Sequence, residues 1–371
     1  MKMKQQEKHT TNFSLIAFIM TFFFCGGTIS GQPFTEKKTY TKTIQVNREM
    51  TLELDNKYGT VNITPSTRDV ISVKAEIEAS APNQERVRNL IKGIDVSISE
   101  TDLQIRVVTE FSQSITTIVE AFKEMTNKVI PYESGIEVNY FITAPEYLNM
   151  KIINKYGDVT MENCTGSLSL DLSNGSFKAN SVNEARQIEL VFGGITVNKV
   201  NKGIINTSFS DVEINESQDL TITSVSSKFY LKQAGKIDAD SRRDKFYIGT
   251  VSSIKGTSYF TDYKIDNLLK EVNLDAKYGN LEVDLIDRTF ELVSLKSTYA
   301  DINLTFHQMA SYNLDIKHLN AFLVLPDNKS DIKKRTINEE KKEYTTYGTV
   351  GSNPGNVKVL IDANRGNIYL R

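Results

Sequence analysis

Four aspartates recur at one place in a repeated phrase. Asp158 follows Lys-Tyr-Gly, and Asp211, Asp262 and Asp301 stand at the matching position of later, weaker copies. Glycoside hydrolysis needs two carboxylates on neighbouring elements, roughly 5–10 Å apart. If the copies stack as adjacent strands, Asp211 and Asp262 lie three levels apart, roughly 14 Å, and Asp262 and Asp301 two levels, roughly 10 Å. Lys228 and Lys245 fill the levels between Asp211 and Asp262. Turn-flanking positions give such a mixed Asp, Lys and Asn column by default, with opposite charges favoured on neighbouring strands. The structural reading is preferred, and no catalytic residue is assigned. A calcium-assisted lyase would need several oxygen ligands converging with a base, and the spacing assembles none.

The remaining reactive residue types point the same way. His9 lies in the N-terminal leader, and His307 and His318 have no Cys or acidic partner at ligand spacing. No metal or cofactor is therefore expected, and His318 reads as a hydrogen-bonded structural residue. Arg242 and Arg243 read as a solvated basic corner. The chain holds no P-loop, no GxSxG elbow and no HExxH. Binding is better served by an aromatic column one residue before the same corner: Tyr58, Tyr156, Phe192, Phe209, Phe260, Tyr278 and Tyr299. Facing outward, such a strip could stack against sugar rings or a partner protein. Facing inward, it would be packing, and packing is the preferred expectation.

These columns exist because the chain repeats. NKYGTVNI (56–63) returns as NKYGDVTM (154–161) and AKYGNLEV (276–283). Aligned on the Gly, the copies are anchored at Gly59, Gly157, Gly175, Gly193, Ser210, Ser227, Asp244, Thr261, Gly279, Ala300, Ala321 and Gly366. From Gly157 to Ala321 the spacing is 17 to 21 residues. Two and four residues past each anchor the chain is apolar or aromatic, as at Val212 and Ile214, with a mostly polar residue such as Glu213 between. Period-two alternation is a half-buried strand. A second alternating strand precedes each anchor. A unit this short has no room for a crossover helix, yet its apolar columns keep fixed offsets, as coiling requires. The expected fold is all-β: a single-stranded parallel β-solenoid, or β-helix, with about 17 residues per coil rising to 21. Right-handed coiling follows from the handedness of parallel crossovers. Positive φ is expected at the anchor glycines, which can take it at little cost.

Residues 1–30 read as a signal peptide, with Lys2, Lys4 and Lys8 ahead of an apolar run from Leu15 to Phe24. That run is too short to span a bilayer, which needs about 20 apolar residues. Cys25 admits a lipoprotein alternative. Phe22 to Phe24 occupy positions where lipidation wants small residues, so a cysteine discarded with the leader is preferred. Cys164 is then the only thiol, and an exported chain of this kind must be held by burial and hydrogen bonding. Residues 31–148 are expected to form the first coils plus a capping region. That region holds a helix at Ala81–Gly93 capped by Asn83, a hairpin, and a less clear helix at Ser114–Ile130. Residues 149–371 form the main array, with a charged loop insertion at 327–356. Lys plus Arg number 44 against 46 Asp plus Glu, so no nucleic-acid partner is expected.

The exported leader, Ile-Thr-Ala-Pro at 142–145 and the serial Tyr-Gly-x-Val corners together resemble the adhesin β-solenoid family. That family comprises exported bacterial proteins of unknown function, related to the head-GIN autotransporter-adhesin type. The resemblance covers nearly the whole chain after the leader. It implies a right-handed β-solenoid in the periplasm or on the outer surface of a Gram-negative bacterium, with no established chemistry. The expected function is a non-enzymatic, adhesin-like binding or interaction scaffold for a cell-surface glycan or envelope protein. The alternative is a carbohydrate-active β-helix enzyme, a polysaccharide lyase or hydrolase. An envelope-stress component is a third reading.

Overall fold

In the computed structural model, the residues described are 33–113, 115, 135–326 and 329–371. The leader and Cys25 lie outside them, as does most of the second helix expected at 114–130. The strands are β1 (Phe34–Gln45), β2 (Thr51–Lys57), β3 (Val61–Pro65), β4 (Val70–Ala81), β5 (Ile94–Glu100), β6 (Gln104–Phe111), β7 (Gly135–Ala144), β8 (Asn149–Lys155) and β9 (Val159–Val225). They continue as β10 (Lys228–Arg242), β11 (Lys245–Ile286), β12 (Leu292–Phe306), β13 (Tyr312–Leu319), β14 (Phe322–Val324), β15 (Lys329–Asn338), β16 (Glu343–Val350), β17 (Lys358–Asn364) and β18 (Asn367–Leu370). Helix α1 (Gln84–Lys92) starts at Asn83, whose Oδ1 accepts from the Arg86 amide at 2.9 Å. Its Val87 and Leu90 pack on Ala79, Ala81 and Ile115.

One large mixed sheet holds these strands together, and it does not close on itself. Its centre is parallel. β10 pairs with β9 and with β11 at an offset of 17 residues, as in Val212–Phe229–Phe246. β11 pairs with β12 at 21 residues, as in Gly279–Ala300. Strand β9 is 67 residues long. Fully extended it would reach about 220 Å; it bends at each corner and meets itself instead. Asn180 donates to Asn163, Asn198 to Asn180 and Asn215 to Asn198, each 17 or 18 residues back. The columns two and four past the anchors line the interior: Val212, Ile214, Phe229, Leu231, Phe246 and Ile248 are all buried. Glu213 between them is exposed.

The expected all-parallel arrangement fails at both ends. β1–β4, β4–β7 and β5–β6 are antiparallel at one, and β13–β16 and β15–β16 at the other. An open parallel ladder leaves a row of unpaired backbone groups. A short turn can fold an antiparallel strand over that row, whereas another parallel strand needs a full crossover. The segment expected as a charged loop at 327–356 supplies two of these covering strands, β15 and β16.

Nor does the order of levels follow the chain. β2 lies between β6 and β8, parallel to both, and β3 lies between β7 and β9. The chain's first copy of the phrase is thus a second level, and the chain steps over it in passing from β7 to β8. At the other end β17 lies between β12 and β13, and β18 between β12 and β14. Gly366 therefore stacks on Ala300, and Ala321 lies beyond it. The sequence order placed Ala321 next to Ala300. Each end is built by skipping one level and filling it with a segment distant in sequence.

Candidate binding surface

The corner that produces the columns is not made by glycine in the expected way. The residue before every anchor is left-handed: Tyr58, Tyr156, Asn174, Phe192, Phe209, Ser226, Arg243, Phe260, Tyr278, Tyr299, Asn320 and Arg365 have φ from 48° to 66°. None is glycine. Each costs about 1–2 kcal/mol relative to right-handed backbone, and persists because paired strands on both sides fix it. The anchor glycines answer a different demand, close approach. A Cβ on Gly157 would lie 1.9 Å from the Gly59 carbonyl oxygen. Gly279 meets both demands, with φ +116° and a Cβ position 2.1 Å from the Thr261 oxygen.

A left-handed residue breaks the alternation of the strands and throws its side chain outward. The preferred expectation of inward packing is thereby corrected. Phe192 and Phe209 are each 55 % exposed, Phe260 47 %, Tyr299 44 % and Tyr156 40 %, with Tyr58 and Tyr278 half-buried. The rings stack from level to level. Tyr58 lies 5.4 Å from Tyr156, Phe192 5.1 Å from Phe209, Phe260 4.6 Å from Tyr278, and Tyr278 5.3 Å from Tyr299, all nearly parallel. Such pairs are worth about 0.5–1.5 kcal/mol each, enough to offset much of the corner strain. Asn174 interrupts the column after Tyr156, and Ser226 with Arg243 after Phe209. A separate aromatic stack, Phe229–Phe246–Tyr263, is buried in the interior, with ring centres 4.5 and 4.9 Å apart.

The aspartate column has a local task. Asp158 Oδ1 accepts from the Ser176 amide at 2.8 Å, Asp262 from Asn280 at 3.1 Å, and Asp301 from Asn367 at 2.7 Å. In each case the acceptor serves the equivalent amide of the next level. Asn139 does the same for Thr60 at 2.8 Å. The left-handed corner disturbs the regular ladder there, and buried or half-buried amides need a partner. Asp211 is exposed on the level before Lys228, and the structure does not gather the four carboxylates into one cluster.

Inside the same corner runs a polar seam. Asp244 is 1 % exposed and accepts from Ser224 Oγ at 2.6 Å, the Ser227 amide at 2.7 Å and the Arg242 amide at 2.9 Å. Burial pushes its carboxyl above the usual range, against the pull of those three donors. Ser241 donates to Thr261 Oγ1 at 2.9 Å. In the glycine-anchored levels Asn154 donates instead to the Gly157 and Gly59 carbonyls, at 2.8 and 3.1 Å. His318 lies in this seam, with Nδ1 3.4 Å from the Ala321 carbonyl and Nε2 3.3 Å from Thr346 Oγ1. Burial lowers its pKa. Cys164 is fully buried, and burial pushes its thiol up to about 11, far from the thiolate that reactive chemistry needs. Among the described residues no three His, Cys, Asp or Glu side chains gather as a metal site. No helix among them is long and apolar enough to cross a membrane.

Tyr259 and Arg365 escaped the sequence reading as neighbours of the column, and Arg242 was read there only as part of a solvated basic corner. Tyr259 meets Phe260 edge-on at 4.7 Å and Tyr278 at 5.5 Å. The Arg242 guanidinium is 5.9 Å from the Tyr259 ring, and that of Arg365 is 4.8 Å from Tyr299. Arg243 and Arg365 both precede an anchor, so their column was readable. Their neighbours were not, because Arg365 reaches Tyr299 only through the skipped level.

No family model matches the chain, and no curated protein does. Solved structures are similar at low identity. A candidate adhesin from Bacteroides fragilis NCTC 9343 is 14 % identical over 70 % of this chain and 97 % of its own, with a TM-score of 0.33. A candidate lipid-binding protein from Parabacteroides distasonis ATCC 8503 is 11 % identical over 71 % of this chain and 96 % of its own, with a TM-score of 0.34. A candidate cell-adhesion protein from Clostridium sporogenes ATCC 15579 is 13 % identical over 91 % of this chain and all of its own, with a TM-score of 0.21.

Proposed function

We propose that this chain is a non-enzymatic binding scaffold of the bacterial cell envelope, built as a right-handed β-solenoid and exported by its N-terminal leader. Its ligand lies along the corner column Tyr58, Tyr156, Phe192, Phe209, Phe260, Tyr278 and Tyr299. The observation that carries this reading is the outward column itself. Large rings are held at strained left-handed positions on the surface, in register from level to level. Surface rings are not needed for a core that is already filled by the inner columns. A linear ladder of rings suits a linear ligand, a cell-surface glycan or an extended segment of an envelope protein.

The test is binding of the full mature chain to a panel of immobilised bacterial surface glycans and envelope extracts. Phe192→Asn with Phe209→Asn, using the residue that the column already tolerates at Asn174, should weaken binding at least tenfold with little change in melting temperature. Unchanged binding in that variant, or release of shortened glycan by the wild type, would overturn the reading.

A further inference from the structure

We propose that the column segment Arg243–Phe260–Tyr278–Tyr299–Arg365 is a subsite for a linear anionic glycan; this rests on the binding role of the column proposed above. The segment exists only in three dimensions. Strand pairing places the levels of Asp244, Thr261, Gly279, Ala300 and Gly366 in that order, so three stacked rings are bracketed by two arginines. Four steps between strands separate the brackets, about 19 Å.

The outward ring edges and guanidiniums of the segment are electropositive. The rings stack face to face along the ladder, so their edges meet solvent, and the edge of an aromatic ring is the positive part of its quadrupole. Arg365 covers the last ring face. Neither Arg243 nor Arg365 forms an ion pair among the described residues. Arg242 and Lys277 add exposed positive charge one column away. The nearest carboxylates are already engaged: Asp262 with Asn280, Asp301 with Asn367, Asp275 with Lys296 at 3.3 Å and Asp240 with Thr257. Asp362 is exposed nearby, three columns from the corner. The occupant must therefore carry negative charge at intervals along its length. An acidic peptide held by strand addition would need a free sheet edge. No edge is free here, since β10, β11, β12 and β17 are each paired on both sides. A glycan chain needs only acceptor oxygens for the guanidiniums, and hydroxyls for the Tyr278 and Tyr299 phenols.

The experiment compares the full chain with Arg243→Asn/Arg365→Asn, again using the residue tolerated at Asn174 and Asn320. Probes are polygalacturonate, chondroitin sulfate, neutral pullulan and polyglutamate, each at low and high salt. The expected result is binding to one or both acidic glycans that weakens with salt, falls at least tenfold in the double variant, and exceeds binding to pullulan and polyglutamate. An unchanged melting temperature establishes that the variant is folded. Equal binding to pullulan, unaffected by the arginine changes but lost in Phe192→Asn/Phe209→Asn, overturns the anionic subsite and leaves the column's general role standing. Equal binding to polyglutamate overturns the glycan assignment. Binding to none of the probes by a folded chain that still binds an envelope extract through the column also overturns it.

Discussion

The middle of the ladder and its two ends are made of the same phrase but are put together differently. Between Val159 and Ile286 each level is laid on the one before it, at 17 or 18 residues, and every pairing to the next strand is parallel. At the ends the chain steps over a level held by a distant segment, 98 residues away at Asn56–Asn154 and 66 at Lys296–Asp362. Local succession is entropically inexpensive, because each new loop is short. The skipped levels cost more to close, and in return they hold both flanks of the chain inside the sheet, beneath antiparallel covers. Stability of the middle should therefore be spread over many levels, and stability of the ends concentrated in single segments.

Removing residues 357–371 tests the difference most severely. The lost level buries Val359, Ile361, Ile368 and Leu370, each worth about 1.5–3 kcal/mol, and leaves β12 and β13 a level apart. Hydrogen exchange should show β13 to β16 losing protection while residues 159–286 keep theirs. Uniform loss would mean the ends and the middle form one cooperative unit. In the middle, Val212→Asp places an unpaired charge in the interior and should cost about 3–5 kcal/mol by urea denaturation. Gly157→Ala, at the junction between end and middle, forces a methyl against the Gly59 carbonyl and should cost about 1–3 kcal/mol in the same assay.

A smaller effect follows from Asp244. Its pKa is raised in the fold, so its contribution is complete below its ordinary value of 3.8 and is lost as pH rises through the folded value. Asp244→Ser, copying Ser227 one level earlier, should gain on the wild type in urea midpoint as pH rises above about 4. His318 has the opposite sign, losing stability as pH falls below about 6.5, but it is present in both chains and cancels in the comparison. The smallest effect is that of Glu213→Lys, exposed beside Val212, which should stay within about 0.5 kcal/mol.

The middle was legible because each level carries its own pattern, and the interval to the next copy is the offset of the pairing. Val212, Phe229 and Phe246 could be placed inward from alternation alone. The ends were not legible, because a level at Gly366 and one at Ala321 present the same apolar face to Ala300. Pattern cannot choose between them: the connections at 287–291 and 307–311 are equally long, yet the first leads to the adjacent level and the second steps over one. The site was half legible for a related reason. The column of Tyr156, Phe192 and Phe260 is visible in sequence, but its direction depends on one left-handed residue per level, and aromatic residues do not advertise that conformation. Asn174 and Asn320, in the same column, were the available hint.

The stepped order also decides which residues complete the aromatic column, since it alone brings Arg365 to Tyr299. Paired cysteines read it directly. Lys296, Asp362 and Lys317 are exposed at equivalent positions of three levels, with Asp362 in the middle. Adjacent levels bring Cα atoms within disulfide range, and alternate levels do not. Under mild oxidation, Lys296→Cys/Asp362→Cys should close a bond in the full chain and Lys296→Cys/Lys317→Cys should remain reduced. A bond at 296–317 with none at 296–362 would contradict the account.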